Sequence, residues 1–219
     1  MSRRIIIVDD HPLFRAALRQ TLAGTEGTSV EEAGDLTALS AALEANRDCD
    51  LVLLDLNMPG SHGFSGLLLL RAQYPDVPVM IISAVEDPKI IRRTFELGAA
   101  GYLPKSVGPS DIRSAIDTVL KGEIFVPAGV SLAGDDEQSG FVRRLSTLTP
   151  QQIRVLMMLS GGLMNKQIAY ELSISEATVK AHVSSILQKL DVDSRTQAVI
   201  AAARIEKGQF EALLGSNAS

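Results

Sequence analysis

Residues 5–14 read IIIVDDHPLF. Four apolar residues stand in a row, as a strand buried on both faces requires, and the run ends on two adjacent carboxylates, Asp9 and Asp10. Pro12 follows where the first turn of a helix tolerates a missing N–H. The stretch thus reads as strand, charged loop and helix start. The same order recurs along the first half of the chain. Apolar runs at 4–8, 28–33, 51–54, 77–82 and 101–103 alternate with segments of helical apolar spacing. Pro88 and Pro109 suit first helical turns, Asp35 and Asp87 suit N-caps, and Gly24, Gly98 and Gly122 sit where helices should stop. Five strand–helix units in succession predict an α/β domain: a doubly wound, five-stranded parallel sheet covered on both faces.

The chain has 219 residues, 46% apolar and 21% charged, with a mean hydropathy of +0.16. That suits one large or two small domains with a real core and excludes a disordered chain. No apolar run approaches the ~18 residues of a membrane span. Too few apolar residues follow Arg3-Arg4 for a signal peptide. Cys49 stands alone, so neither an internal disulfide nor a thiolate metal site is expected. The expectation is a cytoplasmic protein with no membrane partner. Charge is uneven. Residues 1–125 hold 12 Lys and Arg against 17 Asp and Glu, net −5, whereas residues 143–219 hold 9 against 6, net +3. A basic second part behind an acidic first one hints at nucleic acid.

Beyond Gly122 the alternation stops. Residues 126–140 are small, polar and acidic, and read as a linker. The text then becomes wholly helical, and apolar spacing predicts helices over roughly 150–160, 165–172, 176–190 and 195–206. Thr149-Pro150-Gln151-Gln152 is a capping box at the start of the first of these. The expected division is an α/β domain over 1–122, a linker over 123–145, a four-helix domain over 146–210 and a tail over 211–219. Residues 165–190 have the order helix, turn, helix. In the second helix Val179, Val183, Ile186 and Leu190 form an apolar stripe. The opposite face, Ala177, Lys180, Ala181, Ser184, Ser185 and Gln188, is small and polar and suits a major groove. Lys166, Thr178 and Lys189 stand where phosphate contacts would fix the register. From spacing alone, a helical bundle with a solvated polar face fits equally well. In the last helix Ala198, Val199, Ala202 and Ile205 make an apolar side that serves either a dimer or a core.

In a parallel α/β sheet, ligands bind at the carboxyl ends of the strands. Those ends carry Asp9 and Asp10, then Asp55, then Ser83, then Lys105. Three converging carboxylates call for a hard divalent ion, and Mg²⁺ is the natural candidate because it accepts one or two carboxylates together with phosphate oxygens. Lys105 adds a fixed cation and Ser83 a hydroxyl, so that a phosphoryl group could be held while an aspartate attacks it.

On these residues the first part resembles a response-regulator receiver domain. The carrying motifs are IIIVDDHPLF (5–14), LVLLDLNMPGSHG (51–63), VMIISA (79–84) and GYLPKS (101–106). The resemblance implies that Asp55 accepts the phosphoryl group and that Asp9, Asp10, Asp55 and the backbone carbonyl of Asn57 hold Mg²⁺. It makes Ser83 the switch hydroxyl, Ala84 the small residue beside it, Tyr102 the switch aromatic and Lys105 the phosphate-contacting lysine. Departures are Pro104, where the family usually has an aliphatic residue, and Ser106, where proline often follows the lysine. A haloacid-dehalogenase-type phosphohydrolase is a poor match, because it needs Asp-x-Asp after the first strand, whereas Asp55-Leu56-Asn57 follows the third.

Residues 148–199, beginning LTPQQIRVL and ending SRTQAV, are similar to the LuxR-type helix–turn–helix of NarL/FixJ regulators. By that resemblance Lys180, Ala181 and Ser184 read bases, while Lys166, Thr178 and Lys189 contact the DNA backbone. Gln151-Gln152 stands where the family usually has Arg-Glu, and Ser184 where some relatives have a second lysine. Together the resemblances imply a transcriptional response regulator, not an enzyme beyond assisting its own phosphorylation and dephosphorylation. A sensor histidine kinase would phosphorylate Asp55. Ser83 and Lys105 would move to the new oxygens, Tyr102 would follow inward, and a homodimer would bind double-stranded promoter DNA, with RNA polymerase as a further partner. The alternatives are a constitutive DNA-binding regulator whose receiver only mediates association, and an interaction module without DNA binding.

Overall fold

The computed structural model describes residues 3–23, 27–58, 61–132 and 138–200. The elements run β1 Arg3–Val8, α1 Pro12–Leu22, β2 Thr28–Ala33, α2 Leu36–Ala45, β3 Leu51–Asp55, β4 Asn57–Met58, β5 Ser61–His62, α3 Ser65–Gln73, β6 Val79–Ser83, α4 Pro88–Glu96, β7 Gly101–Pro104, α5 Pro109–Leu120, α6 Gln138–Leu145, α7 Pro150–Ser160, α8 Asn165–Glu171 and α9 Glu176–Leu190. Pro12, Pro88 and Pro109 open their helices, and the Asp35 and Asp87 carboxylates accept from Ala38 and Lys89 N–H as caps. Gly98, at φ +90°, ends α4 in a conformation open to glycine. Gly24 lies outside the described residues.

The five long strands pair in parallel in the order β2-β1-β3-β6-β7, the doubly wound sheet expected. Strict alternation along each strand divides the core. Ile5, Ile7, Leu51, Leu53, Met80, Ile82 and Leu103 meet α1 and α5, while Ile6, Val8, Val52, Leu54, Val79, Ile81 and Tyr102 meet α2, α3 and α4. Gly101 is needed by proximity, because a Cβ there would lie 2.7 Å from Met80 Cε and 3.1 Å from Val119 Cγ2. At the foot of the sheet the buried Arg4 guanidinium pairs with Glu31 and donates to the Ala42 and Asn46 carbonyls, which ties β1 to the end of α2.

Two features were not foreseen. The short β4–β5 hairpin follows β3 directly. Within the stretch expected to be linker, residues 138–145 form α6. α6 packs on α9: Leu145 is buried, and Arg144 Nε donates to the Leu190 carbonyl at the end of α9, where a cation is favoured. The start of the linker is also engaged. Phe125 N–H donates to the Ala100 carbonyl and the Phe125 carbonyl accepts from Tyr102, extending the free edge of β7. α7, α8 and α9 form the helical domain around Ile153, Leu156, Ile168, Val179, Ile186 and Leu190. A further helix begins at 195–200, with Ala198 buried and Val199 half-buried; Ala202 and Ile205 lie outside the described residues. The two domains dock: α7 packs on α3, their cores are continuous, and Arg154 Nη2 donates to Gln73 Oε1 at 3.3 Å.

Candidate functional site

Register assembles the first site. Val8 pairs with Leu54, Asp55 with Ile82, and Ser83 with Pro104. Asp9, Asp55, Ser83 and Lys105 therefore emerge side by side at the carboxyl edge of β1, β3, β6 and β7, where the winding of the sheet reverses. Asp9, Asp55 and Ser83 are all buried. Lys105 Nζ bridges the two acids, 2.7 Å from Asp9 Oδ2 and 2.9 Å from Asp55 Oδ2, and sits 4.7 Å above the Phe14 ring. Burial alone would lower the Lys105 pKa, but the hydrogen bonds it donates to Asp9 and Asp55, with their charges, outweigh it and hold the ammonium above its ordinary value. The Lys105 N–H donates to the Ser83 carbonyl, so Pro104 does not displace the lysine loop from the sheet edge.

Asp9, Asp10, His11 and Asp55 each offer a ligand atom, and these atoms all lie within 4.8 Å of one another. The cluster sets three carboxyl groups and an imidazole against one ammonium, and that donor set, mostly hard oxygens, fits a divalent cation. His11 was missed in the sequence. Its Nδ1 lies 2.8 Å from Asp10 Oδ1 and 3.1 Å from Asp9 Oδ1, and adjacency to the acid pair was the available signal. Arg15 also escaped notice; its guanidinium donates to the Asp9 carbonyl. Asn57 N–H donates to Asp55 Oδ1 at 3.3 Å, which holds the residue after next close to that carboxylate.

The Tyr102 ring is fully buried in this structure. Its hydroxyl donates to the Val85 carbonyl at 2.5 Å, while Val85 N–H donates to Ser83 Oγ at 3.2 Å. Burial pushes the Tyr102 phenol up to about 12, against an opposing hydrogen bond with Ser83.

The second site is the outer face of α9. Ser175 caps the helix, its Oγ accepting from Thr178 N–H, and Ser173, at φ +53°, makes the turn from α8. Val179, Ile186 and Leu190 are buried and Val183 half-buried, which turns Ala177, Lys180, Ala181, Ser184 and Gln188 to solvent. Lys166, Thr178 and Lys180 are exposed, and neither lysine has an ion-pair partner among the described residues. Lys189 and Ser185 are not free. Lys189 Nζ donates to the Thr147 carbonyl at 2.7 Å and to Gln152 Oε1 at 2.9 Å, and Gln152 Nε2 donates to Ser185 Oγ at 2.9 Å. Docking against α3 uses α7 and leaves the α9 face uncovered.

Comparison with known proteins identifies both domains. Residues 5–117 match the family described as response regulator receiver domain, and residues 146–202 match bacterial regulatory proteins of the luxR family. The chain is 41% identical over 212 residues to a glycerol metabolism activator of Pseudomonas putida, covering 93% of this chain and 96% of that one. It is 39% identical over 201 residues to the nitrate/nitrite response regulator protein NarP of Escherichia coli K12, covering 90% and 93%. Among solved structures, the two-component response regulator RcsB in complex with DNA superposes with a TM-score of 0.56 at 26% identity, over 94% of this chain and 99% of that one.

Proposed function

The chain belongs to the two-component transcriptional response regulators, a receiver joined to a luxR-type DNA-binding domain, and from that premise we propose that phosphorylation of Asp55 controls DNA binding by the α9 face. The observation that carries the proposal is the position of Lys105, held between two buried carboxylates at the edge of the sheet. A carboxylate oxygen of Asp55 attacks the phosphorus, and the bond from phosphorus to the kinase histidine nitrogen breaks. Asp9, Asp10, Asp55 and the Asn57 carbonyl would hold a Mg²⁺ ion, which supplies positive charge beside the phosphoryl oxygens. As Asp55 becomes an acyl phosphate, its oxygen gives up most of its charge. The Lys105 ammonium then turns from that carboxylate to the phosphoryl oxygens, and the Ser83 hydroxyl donates to another.

Ser83 is hydrogen-bonded to Val85 N–H, and the Val85 carbonyl holds Tyr102, so recruiting Ser83 loosens the loop after β6. Tyr102 N–H donates to the Phe125 carbonyl, which carries the disturbance to the linker. Moving a two-state protein from 1:99 to 99:1 takes about 5.5 kcal/mol. Two or three charge-assisted hydrogen bonds at about 1.5–3 kcal/mol each are of that size. In the DNA-bound form Lys180, Ala181 and Ser184 face base edges and Lys166, Thr178 and Lys189 the phosphates, in a homodimer with one half-site per subunit.

A constitutive regulator is the second reading, favoured by the open α9 face and the Tyr102 ring already buried. The deciding test selects a duplex from a random DNA pool, then measures its affinity with and without acetyl phosphate and Mg²⁺ for wild type and Asp55→Asn. Tightening in wild type alone supports the switch. Equal affinity in all four samples supports the constitutive reading, and no selected duplex at all would refute DNA recognition.

A further inference from the structure

Gln152 is buried at the third position of α7, where it does more than cap. Its Oε1 accepts from Thr149 N–H at 3.0 Å and from Lys189 Nζ at 2.9 Å, and its Nε2 donates to Ser185 Oγ on α9. Lys189 therefore leans on two neutral oxygens, Gln152 Oε1 and the Thr147 carbonyl, and no carboxylate pairs with it among the described residues. Both contacts fix its position without cancelling its charge. On α9, Lys189 shares a flank with Thr178 and Ser185, beside the outward face of Lys180, Ala181 and Ser184. The capped N-terminus of α7 adjoins that flank and adds positive potential.

We propose that Gln152 is the positioning residue that sets the DNA-phosphate contact of this domain, by holding Lys189 in place through a neutral amide and so leaving a full positive charge for one phosphate. This rests on the reading of α9 as the DNA-reading helix. A glutamate at 152 would occupy the same space, keep the capping box and accept from both Lys189 and Ser185. It would also place a carboxylate where Lys189 now has none. The acid suits a helix N-terminus, so Gln152→Glu should be as stable as wild type or more so, and yet bind DNA less well.

The test uses the full chain and the duplex selected by the wild type, with affinity measured across a salt series. Each neutralised phosphate contributes about 0.9 to the slope of log K against log[salt]. Gln152→Glu should lower that slope by about 0.9 per subunit, about 1.8 for a homodimer on two half-sites, weaken binding roughly sixtyfold at 0.1 M salt, and leave Tm unchanged or raised. Lys189→Gln should lose the same slope, and the double variant no more than either single one. An unchanged slope in Gln152→Glu or in Lys189→Gln overturns the proposal. So does unfolding of Gln152→Glu, since the carboxylate is required to fit. A wild type without any salt-dependent binding would instead remove the DNA-binding reading beneath it.

Discussion

The pocket at the edge of the sheet and the outer face of α9 are built on opposite principles. In the pocket, charged groups are buried and already bonded to one another: Asp9, Asp55 and Lys105 form a closed set before any ligand arrives. On α9 the proposed base-reading residues Lys180, Ala181 and Ser184 are exposed, and their flank, Thr178, Ser185 and Lys189, is tied down. A buried polar set stores stability and chemistry together, since removing one partner strands the others. An exposed face holds its interactions in reserve for a partner, and its side chains can change without disturbing the fold.

The sharpest test of that contrast is Lys105→Met. It leaves Asp9 and Asp55 facing each other without their cation, and the expected loss is about 3–5 kcal/mol in urea unfolding, partly restored by Mg²⁺. A loss below 1 kcal/mol would dissolve the distinction between the two sites. Lys180→Ala should behave in the reverse way. Binding to the selected duplex falls by about 1–3 kcal/mol, as for one good base contact, while stability stays within about 0.5 kcal/mol.

Alkaline titration probes the inner wall of the pocket. The Tyr102 phenol is pushed up to about 12 by burial. Because the folded pKa lies above the unfolded one, its contribution to stability is complete below about pH 10 and is lost as pH rises toward 12. One tyrosine step near pH 12 in the absorbance of the native protein, missing in Tyr102→Phe, is the expected result. The smallest effect belongs to the turn before α9. Ser173 holds a left-handed conformation that a side chain disfavours, so Ser173→Gly should gain less than about 1 kcal/mol in thermal unfolding, with DNA affinity unchanged.

The same contrast explains what could be read beforehand. Strands buried on both faces leave uninterrupted apolar runs, and parallel pairing then brings their ends to one edge. Asp9, Asp55, Ser83 and Lys105 were legible from such ends together with the receiver resemblance. The cap residues Asp35, Asp87 and Thr149 were legible from local chemistry alone. α6 was not, because its eight residues follow an acidic, polar stretch and its hold on α9 depends on tertiary partners for Leu145 and Arg144. The inward state of Tyr102 was hidden for a similar reason, since it turns on the carbonyl of Val85, a group every residue carries. Spacing on α9 showed which face is polar, but it took a neighbouring helix to show that Lys189 is held by Gln152.

The central claim is that this pocket transfers a phosphoryl group to Asp55. Intact mass after incubation with acetyl phosphate, with and without Mg²⁺, tests it most directly in wild type and Asp55→Asn, and the same pair is repeated with a competent histidine kinase. The account predicts a Mg²⁺-dependent gain of one phosphoryl group in wild type and none in the variant. A wild type that remains unmodified by both donors, or a variant that gains the same mass, would contradict it.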